Sequence, residues 1–481
     1  MKKKIIIIAA GAAVLALLTQ AVYHSVKKLP PGVGVESGDY YLEDEDVKFL
    51  TDITYRSGSG DRRIEQEIFD EVFELIDGAQ KYIISDMFLI NDFQGKVPET
   101  YSLLSEKFSD SLIRRKKNKP DMNITVITDG INTVFGGIRS SYFSAMRKAG
   151  INVIITDSEL LRDSNLVYSP FWRLFIKPFG EPEEPGGIIP NPIDNSDKGI
   201  AIRGGLRLLN FKANHRKIVA ADSAQTPACI IMSGNAQDAS SAHTNTGVRL
   251  KGNICAYIIE NEMEIARFSG YEGPGIQIKE TEDANGGIRA RFITEGAIAK
   301  NMEMLIDMCG KGDSISMVMF FLSDKGITDR LIKAAKRGAD VRVVLDPNKD
   351  AFGRPQNGIP NTGAAKSLVD GSDGAVKIRW YDTHGEQCHV KMTLFEIGGR
   401  SFMINGSANM TRRNLRNLNL EADILLEARD AEFMNEAKSF FERIWNNKNG
   451  QYTLEYKVYK NESILNYFFY RMQEVLGTGT F

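Results

Sequence analysis

The chain has 481 residues, enough for two or more domain-sized units with sizeable cores. Hydrophobic residues make up 42% and charged residues 25%, an ordinary globular composition, and the formal net charge of −2 argues against a generally polybasic nucleic-acid binder while leaving room for a local basic cleft. The four cysteines (Cys229, Cys255, Cys309 and Cys388) are far apart and form no CxxC pair, which argues against a dense disulfide framework or a cysteine metal site.

In chain order, Met1 to Lys4 is a positively charged start. It precedes the apolar run IIIIAAGAAVLALLTQAVY (5–23), and His24 to Lys28 close the stretch. This is about one bilayer's worth of apolar residues. A cleaved signal peptide has the same shape, but Thr19-Gln20-Ala21 is a poor cleavage site and the run continues through Val22 and Tyr23. The expectation is an uncleaved single-pass anchor over 1–28. The slight N-terminal excess of lysine predicts a catalytic part outside the cytoplasm. Residues 29–55, rich in Pro, Gly and acidic side chains, read as a linker.

After the linker the chain repeats itself. Ile64 to Ile76 has helical spacing and is followed by the strand-like KYIISDMFLI (81–90). Ala297 to Met308 is helical in the same way, followed by SISMVMFFL (314–322). MNITVITDGINTVFG (122–136) is matched by ADVRVVLDPNKDAFG (339–353), each a β-rich run ending in an Asp and a Gly-bounded loop. Alternating strands and helices imply an α/β architecture. We expect a first half over 56–290, a second over 291–450 and a C-terminal helical extension over 451–481.

Both halves reach one motif. NHRKIVAAD places His215, Lys217 and Asp222 at the offsets that His389, Lys391 and Glu396 occupy in CHVKMTLFE. Ser233 and Asn235 follow His215 by 18 and 20 residues, as Ser407 and Asn409 follow His389. Asn245 and Asn419 both fall at plus 30. One such match arises easily by accident. Two, with the same downstream Ser-x-Asn in a chain of only five histidines, do not. Each His-x-Lys reads as a strand start, and alternation sends the two side chains to one face. If the halves pack about a pseudo-two-fold axis, two His, two Lys and two Asn converge on one cleft.

That set suits a phosphodiester. One neutral imidazole attacks phosphorus to give a phospho-histidine, and the other, protonated, serves the leaving oxygen. Lysines and asparagine amides stabilise the non-bridging oxygens, so no metal or cofactor is expected.

The duplicated motif resembles the signature of the phospholipase D superfamily, with dense matches at 214–247 and 388–421. The resemblance implies two α/β/α sandwich halves packed about a single central active site, so that a monomer suffices. It implies His215 and His389 as the nucleophile and acid–base pair, with a lean to His215 as nucleophile. Lys217, Lys391, Asn235 and Asn409, with Ser233 and Ser407, would surround the phosphate. Asp222 and Glu396 complete the catalytic motifs, although a role in holding strand geometry suits them better than touching phosphate. Glu396 departs from the usual Asp, a variant that also resembles membrane-anchored, phospholipase D-like exonucleases of animal lysosomes. Glu421, at plus 32, sits where family members often carry a carboxylate that orients a histidine; the first half has Gly247 there.

The resemblance extends to bacterial cardiolipin synthases, which implies a phosphatidyltransferase or phospholipase acting on membrane phospholipid with an alcohol or water acceptor. The alternative is a membrane-tethered nuclease acting on single strands, and a third reading is a catalytically silent scaffold that binds anionic lipid. Three stretches bear on the choice: the anchor, the aromatic YSPFWRLFIKPFG (168–180) with its loop GEPEEPGGIIPNP (180–192), and the terminal helix ESILNYFFYRMQEVLG (462–477), for which core packing is the expectation. Arg412, Arg413 and Arg416 in TRRNLRN are candidates for a second phosphate or a headgroup.

Overall fold

The computed structural model describes residues 2–95, 101–180, 185–195, 199–223, 226–279, 286–351, 354–460 and 464–476. Part of the loop expected over 180–192, the end of the run 339–353 and the last residues of the C-terminal extension lie outside them.

The apolar N-terminal run forms one helix, Lys2–Val26, with a mean hydropathy of 2.4 and no buried residue. By length and composition it can cross a membrane.

Each half is built on a mixed sheet. The first sheet orders its strands Arg62–Glu65, Val47–Arg56, Asn245–Lys251, Thr226–Met232, Lys217–Ser223, Ala79–Met87, Asn123–Thr128 and Asn152–Ile155. From Tyr40–Leu42 at its edge, the second continues with Ile288–Thr294, Ala422–Ala428, Arg400–Gly406, Lys391–Ile397, Ser314–Met319, Asp340–Leu345, Lys377–Tyr381 and Thr453–Glu455. Setting aside the outer edge strands, the two sheets have the same order. In each, the last three strands of the shared order run parallel and the others pair antiparallel.

Runs such as IVAA (218–221) and ITVI (124–127) form these strands because both faces are covered. Outside the first sheet, helices Ile68–Gly78, Leu104–Asn118 and Ser141–Lys148 bury Val72, Phe108 and Met146. Outside the second, Glu295–Met308, Lys325–Lys336 and Asn361–Gly371 bury Leu305, Leu331 and Leu368. The inner faces share one core. Ile231 and Val248 meet Met403 and Ile424 there, with Ile258 and Phe440 supplied by helices Asn253–Phe268 and Glu432–Trp445. The fold is α/β with two sandwich halves, as expected.

The expected boundaries need correction. Residues 47–56 are not linker but a strand paired with Asn245–Lys251, and Tyr40–Leu42 pairs with Ile288–Thr294 of the other half. The boundary at 290/291 falls inside Ile288–Thr294, and Thr453–Glu455 still pairs with Lys377–Tyr381. Tyr40–Leu42 and Thr453–Glu455 are three-residue strands with little periodicity, and Val47–Arg56 follows directly on a Pro, Gly and acidic stretch that resembles a linker. Ile64 likewise belongs to the edge strand Arg62–Glu65 rather than to the helix after it.

Candidate active site

The motif strands lie antiparallel to the first strand of each parallel set, Lys217 opposite Met87 and Lys391 opposite Met319. Their beginnings therefore lie at the carboxyl ends of the parallel strands, where open α/β sheets build their sites. Each histidine is pinned by the other half. His215 N donates to Leu420 O at 2.9 Å, and His389 N donates to Thr244 O at 2.8 Å. The preceding backbone is held from within its own half: Asn214 N donates to Asp129 and Cys388 N to Asp346, both at 2.8 Å. These aspartates end the two matching β-rich runs, a signal visible in the sequence to which no role had been attached.

The imidazoles are crossed in the same way. His215 Nδ1 lies 2.9 Å from Glu421 Oε1, and His389 Nδ1 lies 3.3 Å from Asn245 Oδ1. Glu421 also accepts from the Ser407 hydroxyl and the Asn414 amide. Asn245 accepts from the Ser233 hydroxyl at 3.2 Å. Ser233 N bonds Thr246 O, and Ser407 N bonds Ala422 O, so Asn245 and Glu421 are structural counterparts. The plus-30 match of Asn245 with Asn419 is thus corrected, as is the pairing of Glu421 with Gly247. The connection carrying the short helix Arg412–Leu415 is two residues longer than its first-half equivalent, from Ser407 to Glu421 against Ser233 to Asn245. Asn419 corresponds instead to His243. Asn419 Oδ1 accepts from Ala213 N at 3.1 Å, and His243 Nδ1 accepts from Gln387 N at 3.2 Å. His243, its ring 6.0 Å from that of His389, is a third histidine at the site that motif reasoning missed.

Lys217 Nζ donates to His215 O at 2.6 Å and Lys391 Nζ to His389 O at 2.7 Å, which leaves further N–H groups on each ammonium for a ligand. Phe88 sits edgewise against the His215 ring and Phe320 at a tilt against that of His389, and the two ammoniums lie over these phenyl rings. Asn235 and Asn409 are buried, and each amide oxygen lacks a hydrogen-bond partner.

Burial sets the electrostatics. It pushes Lys217 down to about 7 and Lys391 well below the usual lysine range, the latter helped by Lys217. His215 and His389 are held well below the ordinary histidine value by burial and then by the two lysines. Burial raises Glu421 and Asp423 to about 8 each, against opposing pulls from the lysines. Burial of two lysines and two imidazoles together thus disfavours their charged forms, and a bound anion would restore them.

Four expected residues are placed elsewhere or otherwise engaged. The Ser233 and Ser407 hydroxyls are fully buried and spent on Asn245 and Glu421, so they orient these partners rather than meeting phosphate. Asp222 and Glu396 sit five residues along their strands from the lysines, roughly 17 Å away. Asp222 Oδ1 accepts from the backbone N–H groups of Gln80, Lys81 and Tyr82, closing the bulged start of Ala79–Met87. Glu396 pairs with Lys438 at 2.8 Å and with Ser401. Neither belongs with the catalytic residues.

In the arginine cluster, Arg416 is taken by Asp324 and Glu303. Arg413 is buried with its guanidinium over Phe211, four residues before His215. The C-terminal helix Ile464–Leu476 docks on the core beside this cluster: Glu474 accepts from Ser323 Oγ and Arg412 N, and Tyr470 Oη donates to Ser323 O.

Residues 302–445 match the family model described as cardiolipin synthase, PLD-like domain. No curated protein matches the chain. Among solved structures, phosphatidylserine synthase of Haemophilus influenzae Rd KW20 is 12% identical and covers 95% of this chain and 98% of its own, with a TM-score of 0.53. The yeast tyrosyl-DNA phosphodiesterase is 10% identical over 79% of this chain and 88% of its own, with a TM-score of 0.41. Nuc, a phospholipase D family member from Salmonella typhimurium, is 18% identical over 34% of this chain and 97% of its own, with a TM-score of 0.26. The family match lies in the second half, and the first half repeats that half's sheet order and motif. The match to the cardiolipin synthase, PLD-like domain thus covers the second half, and over the whole chain the likeness to the phosphatidylserine synthase is one of fold.

Proposed function

We propose that the protein is a membrane-anchored phosphodiesterase or phosphatidyltransferase that acts on phospholipid through a phospho-histidine. The observation that carries this reading is the crossed pair: each buried imidazole has its Nδ1 engaged by the other half, which leaves both Nε2 atoms for chemistry beside two lysines.

The two histidines are unequal. A carboxylate behind His215 stabilises the positive charge that forms when Nε2 bonds phosphorus. The amide behind His389 offers no such stabilisation, which keeps protonated His389 a ready acid. His215 is therefore the nucleophile. In the first step an Nε2–P bond forms, the P–O bond to the leaving alcohol breaks, and His389 Nε2–H gives its proton to that oxygen. In the second, an acceptor alcohol or water gives its proton to His389 Nε2, a new O–P bond forms and the N–P bond breaks. Lys217, Lys391, Asn235 and Asn409 stabilise the non-bridging oxygens. The apolar N-terminal helix supports a membrane lipid as the substrate and a membrane location for the chain, with the catalytic part outside the cytoplasm.

The test uses the full chain in EDTA with phosphatidylglycerol vesicles in one tube and labelled single-stranded DNA in another. Lipid turnover that is lost in both His215→Ala and His389→Ala is the expected result, and cardiolipin or phosphatidic acid as product separates transfer from hydrolysis. DNA cleavage with inert lipid would overturn the lipid reading.

A further inference from the structure

The aromatic insertion ahead of the first motif folds into the helix Tyr168–Phe175 and a following turn, Lys177–Phe179. One side is built into the protein. Trp172 is buried, Arg203 lies over its ring, and the Arg203 guanidinium donates to Ile176 O and Lys177 O. Tyr168 Oη donates to Leu206 O. The bracing helix, Ile202–Leu208, is joined to His215 by a connection of only six residues, 209–214, so the insertion lies close along the chain to the catalytic strand.

The other side is apolar and bare. Val167, Phe171 and Phe175 recur every four residues along one helical face, and Phe179 follows, 85% exposed. Ile188 is 89% exposed. Large aromatics in such numbers on a rigid support call for an apolar partner.

The N-terminal helix identifies that partner. Its C-terminal end packs against the insertion helix: Arg173 Nη1 donates to Gln20 Oε1 at 3.5 Å, and Asp163 N donates to His24 O at 3.0 Å. Just beyond, Arg162 Nε donates to Lys27 O, and Lys27 Nζ donates to Glu159 O. An apolar helix of this length is about 37 Å long against a hydrocarbon layer of about 30 Å. A span centred on the apolar run puts His24 at the layer's edge and Gln20 about 6 Å inside it, so the insertion helix that contacts both lies at the interface.

We infer that the face formed by Val167, Phe171, Phe175 and Phe179 dips into the same bilayer that the N-terminal helix enters, and that it presents the catalytic cleft to lipid headgroups. This rests on the phospholipid reading for its consequence but not for the contact itself. Phenyl rings at this depth are strongly favoured, and a second contact beside a single span fixes the orientation of the globular part.

The four native cysteines are buried, so single introduced cysteines can be labelled with an environment-sensitive fluorophore. The probe positions are Phe171→Cys and Phe179→Cys in the full chain, reconstituted into phosphatidylcholine–phosphatidylglycerol vesicles. Met304→Cys, exposed on the outer helix Glu295–Met308 of the second half, is the control. Quenching by lipids brominated near the headgroup is expected at 171 and 179 and absent at 304. Unquenched labels at 171 and 179 would overturn the inference. In a second arm, Phe171→Ser with Phe179→Ser is expected to lower turnover of vesicle lipid by about tenfold or more while leaving hydrolysis of soluble bis(p-nitrophenyl) phosphate within about twofold. Equal loss on both substrates, or on neither, would also overturn it. Wild-type protein that hydrolyses the soluble diester but no vesicle lipid would instead defeat the phospholipid reading, and the quenching would still decide the surface.

Discussion

Glu421 places Oε1 2.9 Å from Nδ1 of His215, although the two residues are 206 positions apart and belong to different halves. Asn245 holds the equivalent place behind His389. A fold with near two-fold symmetry thus carries an ionisable carboxyl on one side of its site and an amide that cannot ionise on the other.

That difference predicts which histidine becomes phosphorylated. With a diester whose leaving group needs no proton, His389→Ala should still form the covalent intermediate, trapped as an acid-labile phosphoryl label on His215. His215→Ala should form none. Label on His389 in the His215→Ala protein would reverse the assignment. Both results should be the same in EDTA.

Glu421→Gln should lower kcat/KM by about a hundredfold, because the positive charge that forms on the imidazole draws Glu421 into its ionised form and an amide cannot supply that counter-charge. The same variant should change stability with a definite sign. Burial raises the Glu421 carboxyl from 4.5 to about 8. The folded protein then holds a proton that the unfolded chain releases, so the stability contributed by this group is fully present below about 4.5 and falls as pH rises toward 8. Thermal melts should show the variant gaining on wild type between pH 5 and pH 8. A constant difference across that range would contradict the buried, proton-holding carboxyl.

Asn245→Asp should make the two sides alike. A carboxylate behind His389 would hold its proton more tightly and weaken it as an acid. Turnover of alkyl diesters, whose leaving oxygen needs that proton, should fall more than turnover of p-nitrophenyl diesters. Equal losses on both would argue that His389 is not the acid.

Asp222→Ala should act on stability rather than chemistry. It strands three backbone N–H groups at the start of Ala79–Met87, a loss of about 2–4 kcal/mol. Glu396→Ala removes a partly exposed ion pair to Lys438 and should cost less than about 1 kcal/mol. Denaturant midpoints measure both, and kcat of the folded protein should stay within about threefold of wild type in each. A collapse of kcat with an unchanged midpoint would return these acids to the catalytic group.

Much of this was legible in the sequence, because it is local or repetitive. The apolar run of residues 5–23, the alternation of strands and helices, and the doubled His-x-Lys with its Ser-x-Asn are patterns of composition and period. Period places His215 with Lys217 on one face of one strand, and no more than that. The tertiary structure decided what each side chain meets. Ser233 and Ser407 share the motif with Asn235 and Asn409, yet their hydroxyls turn to Asn245 and Glu421. A two-residue lengthening before Glu421 concealed its true counterpart, since spacing counts residues and not positions on a sheet. The crossing of Glu421 to His215 and of Asn245 to His389 exists only because the inner faces of two sheets bury a common core, a contact made by packing between halves that no local pattern encodes.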